Sequence, residues 1–196
     1  MKYLPLTLNM IINSDNLYLT LCYLRRVIDR QVENFSSDAK TSMHYLKVAA
    51  AAKDLYEDIR VSRQTWSKFK NKLPQPPLYN IVDEHVVQMP FEVWDKIEQR
   101  LSAESMNRRV SLLRIYCYMY FQDTFYHNEF QRPQDAIAIE LSTSVNVVNR
   151  VLKTFIEWGW LERKGKFKFT GKETFSYRHT IPEDMKFTIV EHDSFY

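Results

Sequence analysis

The spacing of apolar residues over positions 134–153 constrains the fold of this chain more than any other feature of its sequence. In the segment QDAIAIELSTSVNVVNRVLK, apolar residues recur at helical spacing in two groups on either side of a short polar stretch. Ala138 is small, and it stands where two crossing helices need a small side chain. The residues that would close a shared core around it are Ile137, Leu141, Val148 and Val151. This pattern predicts two short helices joined by a tight turn.

Two serines fit the connection between these helices. Ser142 stands at the ninth place of the motif, where glycine is commonest because the backbone turns there. Ser144 follows two residues later, where its hydroxyl can accept a backbone N–H as the N-cap of the second helix. The segment therefore has the spacing of a helix-turn-helix that lacks the turn glycine.

The residues that follow predict a β-hairpin. Gly159 suits the left-handed position that ends a helix, and a strand fits residues 160–164. Residues 166–169 and 175–178 alternate between apolar and polar side chains around the polar tip at residues 170–172. We therefore expect a hairpin with a basic tip directly behind the second helix.

The order of helix, turn, helix, glycine stop and basic hairpin, over roughly residues 106–180, resembles the winged helix-turn-helix family of bacterial regulators and replication proteins. The resemblance implies sequence-specific binding of double-stranded DNA by a prokaryotic, phage or plasmid transcription regulator. Two alternatives stay open. One is a replication or partition protein with two helix-turn-helix units, and the other is a winged helix that binds another protein.

Helical spacing and side-chain chemistry assign the expected DNA contacts. We expect Asn146 and Asn149 to contact base edges, with adenine as the preferred partner, because the side-chain amide matches the donor and acceptor of that base. Val147 is expected to touch a thymine methyl group, and Arg150 to bind guanine or a phosphate. The remaining predicted DNA-binding residues are Ser144 at the helix N-cap and the cations Lys153, Arg163, Lys164, Lys166, Lys168 and Lys172, which would hold the phosphate backbone.

A second, weaker helix-turn-helix pattern lies near residues 52–71. Its core places are apolar, but Tyr56 occupies the helix crossing, where a large side chain would force the helices apart. The predicted recognition helix would present outward the polar residues Arg63, Gln64, Ser67 and Lys68. The alternative is an amphipathic helix whose basic face is simply solvated.

The whole chain is expected to be mainly α-helical with a small β-hairpin wing, because it contains only three glycines and long stretches of helical spacing. We divide it into a helical N-terminal domain at residues 1–73, a proline-rich linker at 74–90, a winged helix-turn-helix domain at 91–180 and a C-terminal tail at 181–196. Within the linker, residues 81–87 could form a short strand.

Three local predictions bear on how these parts pack. Residues 4–10 read as a strand or an extended arm, and Ser14 is expected to cap a helix over residues 15–33. The helix expected over residues 107–126 is apolar nearly all round, which predicts burial between other helices or between subunits. A homodimer is therefore one expected partner arrangement.

Charge is segregated along the chain. Residues 142–179 carry eight Lys and Arg against three Glu, a net +5, and residues 60–82 carry five Lys and Arg with no acid, another +5. The total is +3, so the rest of the chain is acidic at −7. Two local basic segments are typical of a protein that neutralises phosphates, although lysines also solvate ordinary helix faces.

Other chemistry is not predicted. The five histidines are scattered without metal-ligand spacing, no glycine-rich phosphate loop has the correct spacing, and no acid pair is placed for catalysis, so we expect neither an enzyme nor a metal, cofactor or small-molecule site. Cys22 and Cys117 lie far apart in apolar helical patterns and are expected to be buried free thiols. The longest apolar run near the N-terminus is well short of the ~20 residues that a bilayer requires, and no signal peptide is supported, so a cytoplasmic location without membrane contact is expected.

Overall fold

The computed structural model describes residues 3–31, 61–70, 86–126, 132–169 and 171–182. Within these ranges the protein is mainly helical, with two small antiparallel sheets of two strands each, which confirms the predicted combination of a mainly α fold with a β-hairpin. The described elements, in chain order, are β1 (Tyr3–Thr7), α1 (Leu8–Asn13), α2 (Leu17–Gln31), α3 (Arg63–Lys70), β2 (Val86–Pro90), α4 (Phe91–Leu101), α5 (Met106–Tyr126), α6 (Gln134–Glu140), α7 (Val145–Glu157), β3 (Leu161–Phe169) and β4 (Lys172–His179).

The N-terminal sheet joins two distant parts of the sequence. Strand β1 pairs antiparallel with β2, with Tyr3 opposite Pro90 and Thr7 opposite Val86. Residues 86–90 lie at the end of the predicted linker, and their strand overlaps the short strand expected over residues 81–87 and continues beyond it to Pro90. Residues 81–85 lie outside the described part of the chain. Side chains from α2, α4 and α5 also share one hydrophobic core, so the described helices on both sides of residues 74–85 pack together. The division of the chain into two domains stays a prediction.

The beginning of the chain differs in detail from the expected extended arm and capped helix. The strand ends at Thr7, whose hydroxyl accepts a hydrogen bond from the Met10 backbone N–H at 3.1 Å and so starts the short helix α1. Ser14 therefore lies at the end of α1, and its N–H bonds the Met10 carbonyl. Asn16 caps the next helix instead, because its side-chain oxygen accepts from the Leu19 N–H at 3.0 Å.

Helix α5 is the central element of the core. Helices α1, α2 and α7 all pack against it. Its buried residues include Leu113 and Cys117, and Arg108 of α5 donates to the hydroxyl of Thr154 of α7 at 3.1 Å. The predicted burial of this helix is confirmed for most of its described side chains from Leu112 onward, whereas Asn107 is exposed and Val110 is half-buried. Because other helices of the same chain cover these faces, the burial of α5 does not require a second subunit, and the homodimer stays a prediction.

Helices α6 and α7 form the unit that the apolar spacing predicts. All five predicted core residues are buried, with Ile137, Leu141 and Val148 completely inaccessible to solvent. The turn between the helices closes with two hydrogen bonds, from Ser142 N to Ile139 O at 3.1 Å and from Thr143 N to Ala138 O at 2.8 Å. This pair of bonds satisfies carbonyls at the end of α6 and requires a left-handed residue. Ser142 is that residue, with φ of 48°.

The end of α7 repeats this arrangement with a glycine. Gly159 has φ of 72° and donates to Ile156 O, while the N–H of Trp160 bonds Phe155 O at 2.8 Å. The rings of Phe155 and Trp160 stack with centroids 5.6 Å apart, the apolar contact that often accompanies this helix stop. The predicted end of the helix at Gly159 is confirmed.

Strands β3 and β4 form the predicted hairpin, although β3 is longer than expected and continues without a break from Leu161 to Phe169. Leu161 lies opposite His179 at the base, and Phe169 opposite Lys172 at the tip. The register shifts between Arg163 and Lys166, where β3 contains one residue more than β4. Such a bulge changes which face of the sheet the following side chains occupy.

Burial raises the pKa of both cysteine thiols, Cys22 and Cys117, far above their ordinary value. Both thiols are free and buried, as predicted. No helix in the described ranges is long and apolar enough to cross a membrane.

We predict that replacing Ser142 with glycine stabilises the protein by about 0.5–1 kcal/mol, because glycine adopts a positive φ without steric strain. Gly159→Ala is the matched variant for which we expect the opposite change in stability. A Cβ at Gly159 would meet no atom within 4 Å, so its destabilisation, of about 1–2 kcal/mol, would arise from backbone strain alone. Urea denaturation of the three proteins measures both changes, and a Ser142→Gly variant less stable than the parent would contradict the prediction.

We further predict that Cys22 and Cys117 resist thiol-specific labelling in the native protein at pH 8. The raised pKa keeps both thiols protonated, and the thiolate is the reactive form. Because the unfolded thiols ionise near the ordinary value of 9.0, this contribution to stability is complete below that pH and declines above it. Labelling followed by mass spectrometry, with and without denaturant, checks the prediction; equal rates in the two conditions would contradict it.

Candidate nucleic-acid interface

Helix α7 presents a polar outer side. Asn146, Arg150 and Lys153 are exposed, and Asn149 is half-buried. Ser144 caps the helix, and its hydroxyl accepts from the N–H of Val147 at 3.3 Å. The opposite side of α7 is anchored in the core by Val148, Val151, Leu152 and Phe155. The core therefore fixes which side of α7 is available to a ligand.

Val147 differs from the expectation that it turns toward a groove. It is half-buried and packs against the hydrophobic core, whereas Val145 is 44% exposed. One helical step separates Val147 from the inward Val148, so Val147 lies at the edge of the buried stripe rather than on the outer side. The exposed valine of this helix is Val145.

The bulge in β3 determines the face on which the hairpin cations lie. Arg163 is opposite Tyr177, and Lys166 is opposite Phe175, so the two cations share a face of the sheet although they are three residues apart. Lys168, two residues farther along, lies on this face as well. Without the extra residue, Lys166 and Lys168 would occupy the other side. The bulge thus gathers three predicted contact residues on one face.

Two predicted contact residues of the hairpin form ion pairs. Lys164 lies 3.3 Å from Glu162, and Lys166 lies 3.2 Å from Glu173. The members of the second pair are each 60% exposed, so the pair contributes little to stability and can exchange partners readily. Arg163 instead lies over the ring of Phe175, 4.1 Å from its centroid.

A groove lies between helix α7 and the β3–β4 hairpin. It has a volume of about 590 Å³, and its walls come from the start of α6, the exposed side of α7 and the middle of the hairpin. Asn149 of α7 and Arg163 of β3 both line it, so the structure brings predicted residues of the two elements together. We define the basic face as the outer side of α7 together with this face of the hairpin: Asn146, Asn149, Arg150, Lys153, Arg163, Lys166 and Lys168.

The basic face contains cations without a carboxylate partner. Among the residues that the structure describes, Arg150, Lys153 and Lys168 form no ion pair within 4.0 Å. Arg150 and Lys153 lie one turn apart on α7. The face can therefore attract an anionic ligand without first breaking internal pairs at these positions.

Contacts behind the basic face hold α6 and the hairpin in place. Gln134 of α6 donates to the hydroxyl of the buried Tyr177 at 3.5 Å. At the other end of α6, Glu140 accepts from the hydroxyl of Tyr118 of α5 and pairs with Arg132 at 2.6 Å. These bonds fix α6 between the core helix and the hairpin, and so set the width of the groove.

The structure describes only residues 61–70 of the second basic segment, residues 60–82. Arg63, Gln64 and Lys68 are exposed on α3, while Trp66 and Phe69 are buried, as the amphipathic pattern predicts. Trp66 packs on Tyr23 of α2 with ring centroids 6.0 Å apart. The preceding helix of the predicted unit, including Tyr56, lies outside the described residues, so the second helix-turn-helix stays a prediction. The side chain of Lys172 also lies outside the described part of the structure.

Sequence reasoning missed Ile139 as a surface residue. This side chain is 78% exposed and lines the groove. Helical spacing could have predicted this exposure. Ile137, Ala138 and Leu141 face inward, so Ile139 is turned outward.

Comparison of this chain with protein-family models, curated proteins and solved structures found no match. In the described part of the chain, no cluster of His, Cys, Asp or Glu is arranged to hold a metal ion.

Proposed function

We propose that this protein binds double-stranded DNA through the basic face, with α7 as the recognition helix of a winged helix-turn-helix and the β3–β4 hairpin as its wing. The observation that carries the proposal is the joint presentation of exposed Arg150 and Lys153 on α7 and of Arg163, Lys166 and Lys168 on the adjoining face of the hairpin. An α-helix fits the major groove of B-DNA, which is about 12 Å wide, and cations beside it can then reach the phosphates.

Side-chain chemistry distributes the roles on this face. Asn146 and Asn149 are suited to the donor and acceptor edge of adenine, and Arg150 to guanine or a phosphate. The exposed Val145, rather than the half-buried Val147, is the valine that we assign to a thymine methyl group. Lys153 and the hairpin cations contact the backbone and set the register of the helix on the duplex.

Fluorescence anisotropy with a mixed-sequence duplex, titrated at several salt concentrations, tests this function. We expect binding whose logarithmic affinity falls linearly with the logarithm of salt concentration, by about 0.9 for each phosphate that is neutralised. Absence of salt-sensitive binding at low ionic strength would exclude the proposal.

Replacing both Arg150 and Lys153 with alanine is expected to weaken DNA binding by about tenfold at low salt. If both side chains bind phosphates, the salt slope falls by about 1.8; if Arg150 binds a base, it falls by about 0.9. Arg26→Ala is the control, since it removes a cation from α2, which contributes no residue to the basic face. Equal affinity of the parent and the double variant would remove α7 from the interface.

Glu173→Gln is expected to strengthen DNA binding by about 1.4- to fivefold at low salt, which corresponds to the ~0.2–1 kcal/mol of an exposed ion pair. The change releases Lys166, which lies 3.2 Å from Glu173, and removes a negative charge from the rim of the groove. Glu157→Gln is the matched control, because it removes one negative charge from an exposed residue at the end of α7. A gain of equal size in both variants would indicate a general effect of net charge and contradict the local explanation.

The biological role within DNA binding depends on where the sites lie. We favour a transcription regulator, and a replication or partition protein is the alternative. Genome- or plasmid-wide recovery of bound DNA separates them, since a site at a promoter indicates a regulator and an array of repeats indicates an origin.

A further inference from the structure

Two cations of the basic face lie against one aromatic ring. The guanidinium carbon of Arg163 is 4.1 Å from the centre of the Phe175 ring, and the ammonium nitrogen of Lys166 is 5.9 Å from the same centre. Both distances fall within the ~6 Å over which the negative face of an aromatic ring attracts a cation. The ring therefore restricts the positions of both side chains before any ligand binds.

The bulge in β3 makes this arrangement possible. Lys166 lies directly opposite Phe175 on β4, and the extra residue brings Arg163 to the same face of the sheet. The hydroxyl of the buried Ser176 donates to the carbonyl of Gly165, within the bulge, at 3.4 Å. Phe175 itself is half-buried and packs against the hydrophobic core. The core thus fixes the ring, and the ring positions the two cations.

The two cations differ in their other contacts. Arg163 is exposed and forms no ion pair within 4.0 Å in the part of the chain that the structure describes, so the ring is the partner that restricts it. Lys166 also pairs with Glu173 at 3.2 Å, and both members of that pair are 60% exposed, so solvent screens it. If Glu173 exchanges for a phosphate, the ring still keeps the ammonium group close to its present place.

Ordering of this kind favours the binding of a phosphate. A long side chain that is free in solution loses rotamer freedom when it contacts a ligand, and this loss lowers affinity. A side chain that the protein already holds avoids much of the loss. The planar guanidinium can stack on a ring and still direct its N–H groups toward the oxygens of a phosphate.

We propose that Phe175 is a positioning residue, which holds Arg163 and Lys166 as a preformed pair of contacts for phosphates of the DNA backbone. Phe175 and Arg163 line the same groove as Asn149 of α7, so the ring also fixes the phosphate contacts of the hairpin relative to a base contact of the helix. The role in binding phosphates rests on the proposed DNA-binding function, whereas the ordering of the cations in the free protein does not.

Variants of Phe175 test the positioning. Phe175→Leu keeps an apolar side chain but removes the aromatic face, Phe175→Tyr keeps that face, and neither changes the net charge. We expect Phe175→Leu to weaken DNA binding by about two- to tenfold, the factor that corresponds to ordering one long side chain, and Phe175→Tyr to retain the parental affinity.

Phe167→Leu is the matched control, because Phe167 lies opposite Thr174 on the other face of the same hairpin. It should leave DNA affinity unchanged. Equal losses in Phe175→Leu and Phe175→Tyr, or in Phe175→Leu and Phe167→Leu, would overturn the proposal.

A double-mutant cycle shows whether the ring acts through the cations. In a background that carries both Arg163→Ala and Lys166→Ala, Phe175→Leu should cause no further loss of DNA affinity at low salt. A loss by the same factor in both backgrounds would mean that the ring stabilises the hairpin or contacts DNA directly, and the positioning role would be wrong.

NMR of the free protein tests the ordering without DNA. The ring current of residue 175 should shift the side-chain proton resonances of Arg163 in the parent and in Phe175→Tyr, and this shift should be lost in Phe175→Leu. Identical Arg163 resonances in the parent and Phe175→Leu would refute the ordering. Ring-shifted Arg163 resonances without DNA binding by any variant would retain the ordering and refute the proposed function.

Discussion

The packing of helices around α5 is the interaction on which the arrangement of the whole protein depends. Helices α1, α2 and α7 all pack against this helix, and polar bonds join it to its neighbours: Arg108 to Thr154, and Tyr118 to Glu140. Burial of its large apolar side chains removes them from water and provides most of the driving force for folding. Because α7 rests on α5, the same packing that stabilises the core orients the basic face outward.

Two residues with a left-handed backbone conformation determine the direction in which the chain enters and leaves α7. Ser142 turns the chain from α6 into α7, and Gly159 turns it from α7 into β3. At each turn, backbone N–H groups satisfy carbonyls that the helix end leaves unpaired. The hairpin consequently begins at a fixed angle to α7, and the bulge after Arg163 brings the cations beyond it back to the side on which the groove opens.

Periodicity made the α6–α7 unit predictable, since each of its core residues is fixed by helical spacing and by the small side chain at Ala138. The bulge was not predictable. Apolar and polar side chains do not alternate over Lys164, Gly165 and Lys166, so the sequence gives no sign of an extra residue in β3. The pairing of β1 with β2 was missed for another reason. The partners are separated by more than 75 residues, and nothing in a short strand specifies a distant partner. The half-buried position of Val147 shows the same limit, since the edge of a buried stripe depends on the neighbouring helices.

Charged and exposed apolar side chains occupy different parts of the surface beside α7, so they would contribute to DNA binding in different ways. Arg150 and Lys153 stand on α7, where no carboxylate within the described residues pairs with them, and neither lines the groove. Ile139 and Val145 lie within it, beside Asn149 and Arg163. Phosphates carry no apolar surface, so burial of Ile139 would add nothing to a purely electrostatic contact. In the proposed complex, the outer cations of α7 therefore provide attraction to the phosphates, and the groove contributes sequence preference through Asn149 and through contact of Val145 with a thymine methyl group.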